Sequence, residues 1–190
     1  MTYAFYKRIL DIAISFPALL LLSPIFLLIA IAIMLESPGS PFFLQERAGL
    51  HGHPFRIIKF RSMIKNASSI GPWQTATNDP RIIHVGKFLR ISSLDELPQL
   101  WNVLVGDMSL VGPRPEVPAR KPAYRPADWQ ARHRVRPGIT GLAQVSGRSN
   151  LSEAIQLRYD LTYAAHPTLI GDVIILFKTL WIVLCRTGTN

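Results

Sequence analysis

Two carboxylates stand side by side at Asp95-Glu96, inside the run Ser92-Ser93-Leu94-Asp95-Glu96-Leu97-Pro98-Gln99-Leu100-Trp101-Asn102. A carboxylate can serve as a covalent nucleophile or a general base, and a neighbouring pair can divide such roles. The same residues also fit a simpler purpose. Ser93 followed by Glu96 is a capping-box spacing, and Asp95 would favour the positive end of a helix that starts there. Pro98 sits awkwardly for a cap, because it restricts the backbone of the residue before it. On this window alone both readings stand.

The surrounding cations bear on the choice. Arg114 lies between prolines in Gly112-Pro113-Arg114-Pro115. Arg136 and Arg148 flank the glycine-punctuated stretch Arg136-Pro137-Gly138-Ile139-Thr140-Gly141-Leu142-Ala143-Gln144-Val145-Ser146-Gly147-Arg148. Lys59 and Arg61 in Lys59-Phe60-Arg61, and Arg90, lie upstream. Guanidinium groups on restricted backbone suit bidentate recognition of phosphate oxygens. Any one of these arginines alone reads as a solvated surface charge. Together they make a set of candidate phosphate-binding residues: Lys59, Arg61, Arg90, Arg114, Arg136 and Arg148.

These groups must be carried by a chain of unusual make-up. Hydrophobic residues are 48% of the total while the formal net charge is +9, and mean hydropathy is +0.21. An apolar but basic chain suits a negatively charged lipid surface, although basic character alone also suits nucleic acid. With one cysteine, Cys185, an internal disulfide and a multi-cysteine zinc site are excluded.

Residues 12–35 carry no charge. At about 1.5 Å per residue, a straight helix of that length reaches roughly 36 Å, enough to cross a bilayer core of about 30 Å. Pro17 and the Ser23-Pro24 pair interrupt the run, and a proline inside a helix removes a donor and crowds the carbonyl four residues back. Lys7 and Arg8 precede the run, and Arg47, Arg56, Lys59, Arg61 and Lys65 follow it. Positive flanks favour the cytoplasmic side, so a helix broken at Ser23-Pro24 that enters and leaves by one leaflet fits as well as a single span. Asp11 is expected to pair with Lys7 or Arg8 at helical spacing.

The rest reads as a compact domain. A hairpin is predicted over 41–63 with its turn at 49–54, a loop over 71–81, and helix over 85–105 interrupted near Pro98. A short helix is expected at 128–134, and an amphipathic one at 152–165 with Ser152 as N-cap. Residues 168–185 fit an interfacial helix anchored by Trp181 or, alternatively, a buried core helix. The expected fold is mainly α with a small β-hairpin. It divides into a membrane segment over 1–36, a single span or a helix-break-helix, and a domain over 37–190 that carries the dyad and includes interfacial amphipathic helices.

Six ordered stretches give the chain its likeness. They are Lys7-Arg8-x-x-Asp11, Ser23-Pro24, Gln45-x-Arg47-x-Gly49, Lys59-Phe60-Arg61, Leu94-Asp95-Glu96-Leu97-Pro98-Gln99, and Gly112-Pro113-Arg114-Pro115 together with Arg136-Pro137-Gly138-Ile139-Thr140-Gly141. In these, over nearly its whole length, the chain resembles the monotopic phosphoglycosyl transferases, the bacterial sugar transferases that begin glycan assembly on polyprenol phosphate. It looks like the minimal catalytic form.

The resemblance implies a re-entrant helix broken at Ser23-Pro24 and an active site on the cytoplasmic face of the bacterial inner membrane. It implies Asp95 as nucleophile on the sugar-bearing phosphorus of a UDP-sugar, with UMP as leaving group and Glu96 as its catalytic partner. Mg²⁺ held by Asp95 is implied as cofactor, and polyprenol phosphate as acceptor. The implied partners are these substrates and membrane lipids, without nucleic acid; exposed apolar surface would face lipid or a second copy, so a homodimer is allowed. Two rivals predict otherwise. A single-span basic protein would bind polyanions without using the dyad, and an aspartyl-phosphate hydrolase would transfer to water.

Overall fold

The computed structural model describes residues 3–71, 79–147 and 151–185. The first helix, α1 (Tyr3–Glu36), is built from Leu, Ile, Ala and Phe without a glycine, and is long and apolar enough to cross a membrane. Its backbone stays helical through both prolines, so the break expected at Ser23-Pro24 is not an interruption of the helix. The local reason is visible. Pro24 has no N–H for the carbonyl of Leu20, and the Ser23 hydroxyl donates to that carbonyl instead, at 2.8 Å. A hydroxyl that satisfies the freed acceptor makes an intrahelical proline tolerable in an apolar setting.

Polar groups at both ends tie α1 to the remainder of the chain. Arg8 donates from both terminal nitrogens to the carbonyls of Val103 and Leu104, at 2.6 and 2.7 Å. Asp11 accepts from the Ser109 hydroxyl and the Leu110 amide, each at 3.0 Å. Lys7 pairs with Asp172 at 2.8 Å, and that carboxylate also accepts from Tyr3 at 2.8 Å and Tyr163 at 2.7 Å. The expected pairing of Asp11 with Lys7 or Arg8 is therefore replaced by longer-range bonds, since buried acceptors and carbonyls elsewhere needed those donors. At the far end Glu36 accepts from the amides of His84 and Val85, at 2.6 and 2.8 Å. It thereby caps a helix whose own N-cap residue, Ile83, offers no side-chain acceptor.

Between these anchors α1 packs along the body. Ala18, Leu19 and Leu22 lie against a core of Ile57, Leu100, Val103, Met108, Leu110 and Val111. Phe26, Ile29 and Ile33 meet Phe60, Ile83 and Leu89. The opposite face stays open, with Leu21 and Leu35 about four-fifths exposed (79% and 81%).

The predicted hairpin is present. Strands β1 (Phe42–Ala48) and β2 (Pro54–Phe60) pair antiparallel from Phe42↔Phe60 to Ala48↔Pro54. A 3₁₀ turn at Leu50–Gly52 joins them, with His51 and Gly52 both at positive φ. Helix α2 (Ala67–Ile70) follows, and most of the loop expected at 71–81 lies outside the described residues. The helical stretch expected at 85–105 is split as anticipated, into α3 (His84–Ile91), a 3₁₀ turn at Leu94–Glu96, and α4 (Gln99–Val105).

A second sheet was not anticipated. Strands β3 (Ser109–Val111) and β4 (Gly138–Thr140) pair in parallel, Ser109↔Gly138 and Val111↔Thr140. Helix α5 (Pro126–Arg132) sits between them in sequence and begins on a proline, where the missing N–H is harmless. Helix α6 (Leu142–Ser146) follows β4. Helix α7 (Glu153–Ala165) has the expected cap, Ser152, whose hydroxyl accepts from the Ile155 amide. Helix α8 (Leu169–Leu184) buries Asp172 and Ile175 and exposes Ile170, Phe177, Leu180 and Trp181. The alternative of a buried core helix is thus excluded for residues 168–185.

Asp172 is fully buried and holds three donors from two helices and one lysine. Its removal leaves a nearly buried ammonium without its partner, while the two phenols keep their bond to each other and Tyr163 its bond to the Val111 carbonyl. Asp172→Ala is expected to destabilise the protein by about 3 to 5 kcal/mol, the usual loss when one partner of a buried ion pair is deleted. Thermal unfolding of detergent-solubilised protein checks this, and a midpoint equal to that of the parent would show that the network is dispensable.

Candidate active site

The dyad sits on the 3₁₀ turn between α3 and α4, and the chain is bent sharply to put it there. Helix α3 closes with Ser92, whose hydroxyl donates back to Phe88 at 2.8 Å. Ser93 then adopts the left-handed conformation, φ 58°, which costs a non-glycine residue roughly 1–2 kcal/mol. Leu94 pins the turn by packing on the Phe60 and Leu89 cluster. Ser93 makes no side-chain cap bond, so the capping-box reading fails. Glu96 has turned toward cations instead.

Glu96 receives Lys59 from β2 at 2.7 Å and Arg114 from the loop after β3 at 2.7 Å, both on Oε1, with a longer Arg114 contact of 3.5 Å to Oε2. Burial alone would raise the pKa of Glu96; the guanidinium of Arg114 and the ammonium of Lys59 outweigh it and hold the carboxyl well below its usual range. Lys59 is lowered by burial, with Glu96 pulling the other way.

Asp95 behaves oppositely. Burial and the adjacent Glu96 charge push it up to about 6, against the opposing pull of Lys59, Arg90 and Arg114. No described residue donates a hydrogen bond to it. Two neighbouring carboxylates thus differ in kind: one a locked anion, the other an unbonded and more basic group.

A narrow crevice beside the dyad is lined by Arg47, Ile57, Lys59, Glu96, Gln99, Arg114 and Pro115. Arg47 donates to the Pro115 carbonyl at 2.9 Å. Its Nε, and the Nε2 of the buried Gln99, are enclosed without a partner. Unpaired buried donors beside a cationic group are suited to oxygen-rich ligands.

Of the expected cations, Lys59, Arg90 and Arg114 surround the dyad. Arg90 also donates to the Ser62 hydroxyl at 3.1 Å. Arg61 does not join them, because its terminal nitrogens are engaged by the carbonyls of Ser37 and Pro38 just past α1. Arg136 is at the other end of α4, where its Nε donates to the Gly106 carbonyl at 2.8 Å. Arg148 lies outside the described residues. Arg47 and Gln99 were not among the expected site residues although both fall in the ordered stretches. A lone arginine on a strand has no spacing that separates it from a surface charge.

Among the described residues no cluster of three or more His, Cys, Asp or Glu could cage a metal. Magnesium does not need one, since it commonly takes one or two carboxylates and completes its shell with substrate phosphates and water. Glu96 is occupied by its two cations, so Asp95 is the carboxylate open to such an ion, and the residues present fit it.

A family model described as bacterial sugar transferase matches residues 2–186. The UDP-glucose:undecaprenyl-phosphate glucose-1-phosphate transferase of Caulobacter vibrioides is 43% identical over 181 residues, which cover 92% of this chain and 68% of that protein. The Escherichia coli protein of the same name is 42% identical over 182 residues, 92% of this chain and 39% of its own length. A UDP-N-acetylgalactosamine-undecaprenyl-phosphate N-acetylgalactosaminephosphotransferase of Aeromonas hydrophila is 43% identical over 194 residues, 99% of this chain and 46% of its own. The chain therefore spans less than half of the latter two proteins.

The raised pKa of Asp95 carries a stability consequence. A carboxyl whose folded pKa lies above its unfolded value stabilises the fold below the unfolded value and loses that contribution as pH rises through the folded one. The fold thus loses stability as pH rises from the unfolded value through about 6, where Asp95 ionises. Asp95→Asn is expected to melt higher than the parent near pH 8, with the gap narrowing toward about pH 4, close to the unfolded value. Melting curves of the two proteins across that range check it, and a pH-independent difference would rule out the assigned ionisation.

Proposed function

Because the chain belongs to the bacterial sugar transferase family, we propose that it moves a sugar-1-phosphate from a UDP-sugar to polyprenol phosphate, with Asp95 as covalent nucleophile. The observation that carries this reading is the opposite setting of the adjacent carboxylates: Glu96 ionised between Lys59 and Arg114, and Asp95 unbonded and pushed up to about 6. A carboxylate that is mostly ionised at neutral pH and not hydrogen-bonded is free to attack phosphorus.

In the first step an Asp95 oxygen attacks the sugar-bearing phosphorus of the donor. The bond from that phosphorus to the bridging oxygen breaks, and UMP departs with the oxygen and its electron pair. In the second step a phosphate oxygen of the polyprenol phosphate attacks the same phosphorus and releases Asp95, giving a polyprenol diphosphate sugar. Negative charge on the transferring group is met by cations already in place, Lys59, Arg90 and Arg114, which need no rearrangement to act. Glu96 orders two of them. Asp95 would be the residue to hold magnesium, which would supply positive charge beside the donor's phosphates.

A re-entrant α1 at the cytoplasmic face of the inner membrane completes the reading. Positive residues flank both ends of the apolar run, and groups at both ends, Arg8 and Asp11 at one and Glu36 at the other, bond to the same body. A straight crossing would carry one of those ends to the far side. The exposed apolar faces of α1 and α8 are then the lipid-facing surfaces, and the dyad lies at headgroup depth, where a water-soluble donor and a lipid phosphate can meet.

Purified protein in detergent, with magnesium, undecaprenyl phosphate and a panel of UDP-sugars, is expected to release UMP with one donor and thereby identify the sugar. Asp95→Asn should lose at least on the order of a thousandfold in turnover, as nucleophile deletions do. The parent rate should fall as pH drops through about 6, where Asp95 takes up its proton. Release of UDP, or of free sugar phosphate without lipid, would point instead to ordinary glycosyl transfer or to hydrolysis. Topology is tested separately by cysteines placed at Thr2 and Ser40 in inverted and right-side-out vesicles. Labelling of both from the cytoplasmic side is expected, and periplasmic labelling of either would exclude the re-entrant arrangement.

A further inference from the structure

Arg114 has more than half of its side chain exposed and rides on a loop, so its aim at Glu96 must come from what holds its backbone. Two guanidinium groups hold consecutive carbonyls there. Arg47 of β1 donates to Pro115 at 2.9 Å, and Arg132 of α5 donates to Arg114 itself at 2.7 Å. Arg132 is in turn fixed by Asp160 of α7, with Nε and Nη2 at 2.9 and 2.8 Å from the same carboxylate oxygen. Both members of this pair are about 5% exposed. Neither contacts the dyad.

As a stabiliser, a buried ion pair gains little over packed apolar residues of similar volume. An apolar pair, however, has no donor to offer the Arg114 carbonyl. That carbonyl belongs to a segment with few other ties: the Pro113 carbonyl accepts from the Gly138 amide at 2.9 Å, and the Glu116 carbonyl from the Ala48 amide at 2.8 Å. Proline at 113 and 115 leaves the loop no amide at those positions. Among the described residues the Arg132 donor is thus the one that bonds the Arg114 carbonyl.

We propose that Asp160 and Arg132 are a positioning pair for transfer, holding the backbone of Arg114 so that its guanidinium meets Glu96. The inference rests on the catalytic reading above for its kinetic consequence, and on geometry alone for its structural one. Lysine at 132 keeps the charge and the bond to Asp160 but cannot also reach the Arg114 carbonyl through a fork. Small displacements of a positioning group lower rate more than binding, by up to about a hundredfold for about 1 Å.

The test uses the full chain in detergent, with Arg132→Lys and Asp160→Asn, and Arg125→Lys as control, because Arg125, at the N-cap of α5, forms an exposed pair with Asp128. Amide hydrogen exchange is read at Ala48 and Gly138, whose N–H groups bond the carbonyls on either side of Arg114. Both are expected to exchange faster in the two variants and to stay unchanged in the control. In the UMP assay, kcat is expected to fall by about tenfold to a hundredfold with KM for the donor moving far less. In an Arg114→Lys background the same substitutions should cause a smaller loss, because groups acting through one another are not additive.

Unchanged exchange at Ala48 and Gly138, or equal losses in the two backgrounds, would overturn the proposal and leave the pair a structural one. Should Arg132→Lys not fold, Asp160→Asn decides alone, since it retains volume and an acceptor oxygen. A parent enzyme that released no UMP would sink the reaction assignment, and the exchange result would still judge the positioning pair.

Discussion

Two carboxylates joined by one peptide bond repel each other, and the protein resolves the repulsion by assigning each a different surrounding. Glu96 is given Lys59 and Arg114, and Asp95 is given neither as a hydrogen-bond partner. Much of the architecture follows from that division. Lys59 has to come from a strand whose partner supplies Arg47. Arg114 has to come from a loop anchored on two sides. The turn carrying the dyad has to be tight enough to require a left-handed serine. A left-handed serine and a partly desolvated aspartate are both unfavourable alone, and they persist where surrounding contacts over-determine the geometry.

The position of this arrangement within the fold is tied to α1. The charged residues of its first three turns, Lys7, Arg8 and Asp11, do not face outward as solubilising groups. Arg8 satisfies the last carbonyls of α4, Asp11 the start of β3, and Lys7 the carboxylate that holds α8. The cations near the C-terminus of α4 also oppose the negative end of its dipole. One apolar helix is thus bonded to α4, and α4 begins three residues after the dyad. Any shift of α1 along its axis would be passed to the active site through seven residues of helix. That coupling is what a fixed membrane depth would require.

Elements with a strong local signal were legible in the sequence. The hairpin, the interrupted helix at 85–105, the Ser152 cap and the apolar outer face of α8 all follow from periodicity, turn residues and capping chemistry. Less legible were features that needed the third dimension. Ser23-Pro24 reads as a break because proline removes a donor, and in the structure the serine hydroxyl takes up the freed Leu20 carbonyl while the backbone stays helical. Asp11 reads as a local ion-pair partner because Lys7 and Arg8 are near in sequence, yet its partners lie 98 and 99 residues away. Arg61 is two residues from Lys59 and faces a different part of the molecule, where two carbonyls left bare by the end of α1 claim it. Its strand neighbour in the motif predicted nothing about this. The parallel β3–β4 pair, three residues long, was too short for any periodicity to announce.

The stretch Arg136-Pro137-Gly138 also takes part in the packing that supports Arg114. Its arginine and glycines suggest phosphate binding, and in the structure they brace neighbouring backbone as well. A Cβ at Gly138 would lie 2.1 Å from the Gly112 amide nitrogen, so only glycine allows the two segments to lie against each other there. That contact lets the Gly138 amide reach the Pro113 carbonyl while the Gly112 amide reaches Thr140. The loop holding Arg114 therefore starts from a rigid floor. Arg136, donating to Gly106, links the same floor to the end of α4. Residues that are far apart in the chain and chemically suited to anions thus fix the backbone from which the Arg114 guanidinium is aimed at Glu96.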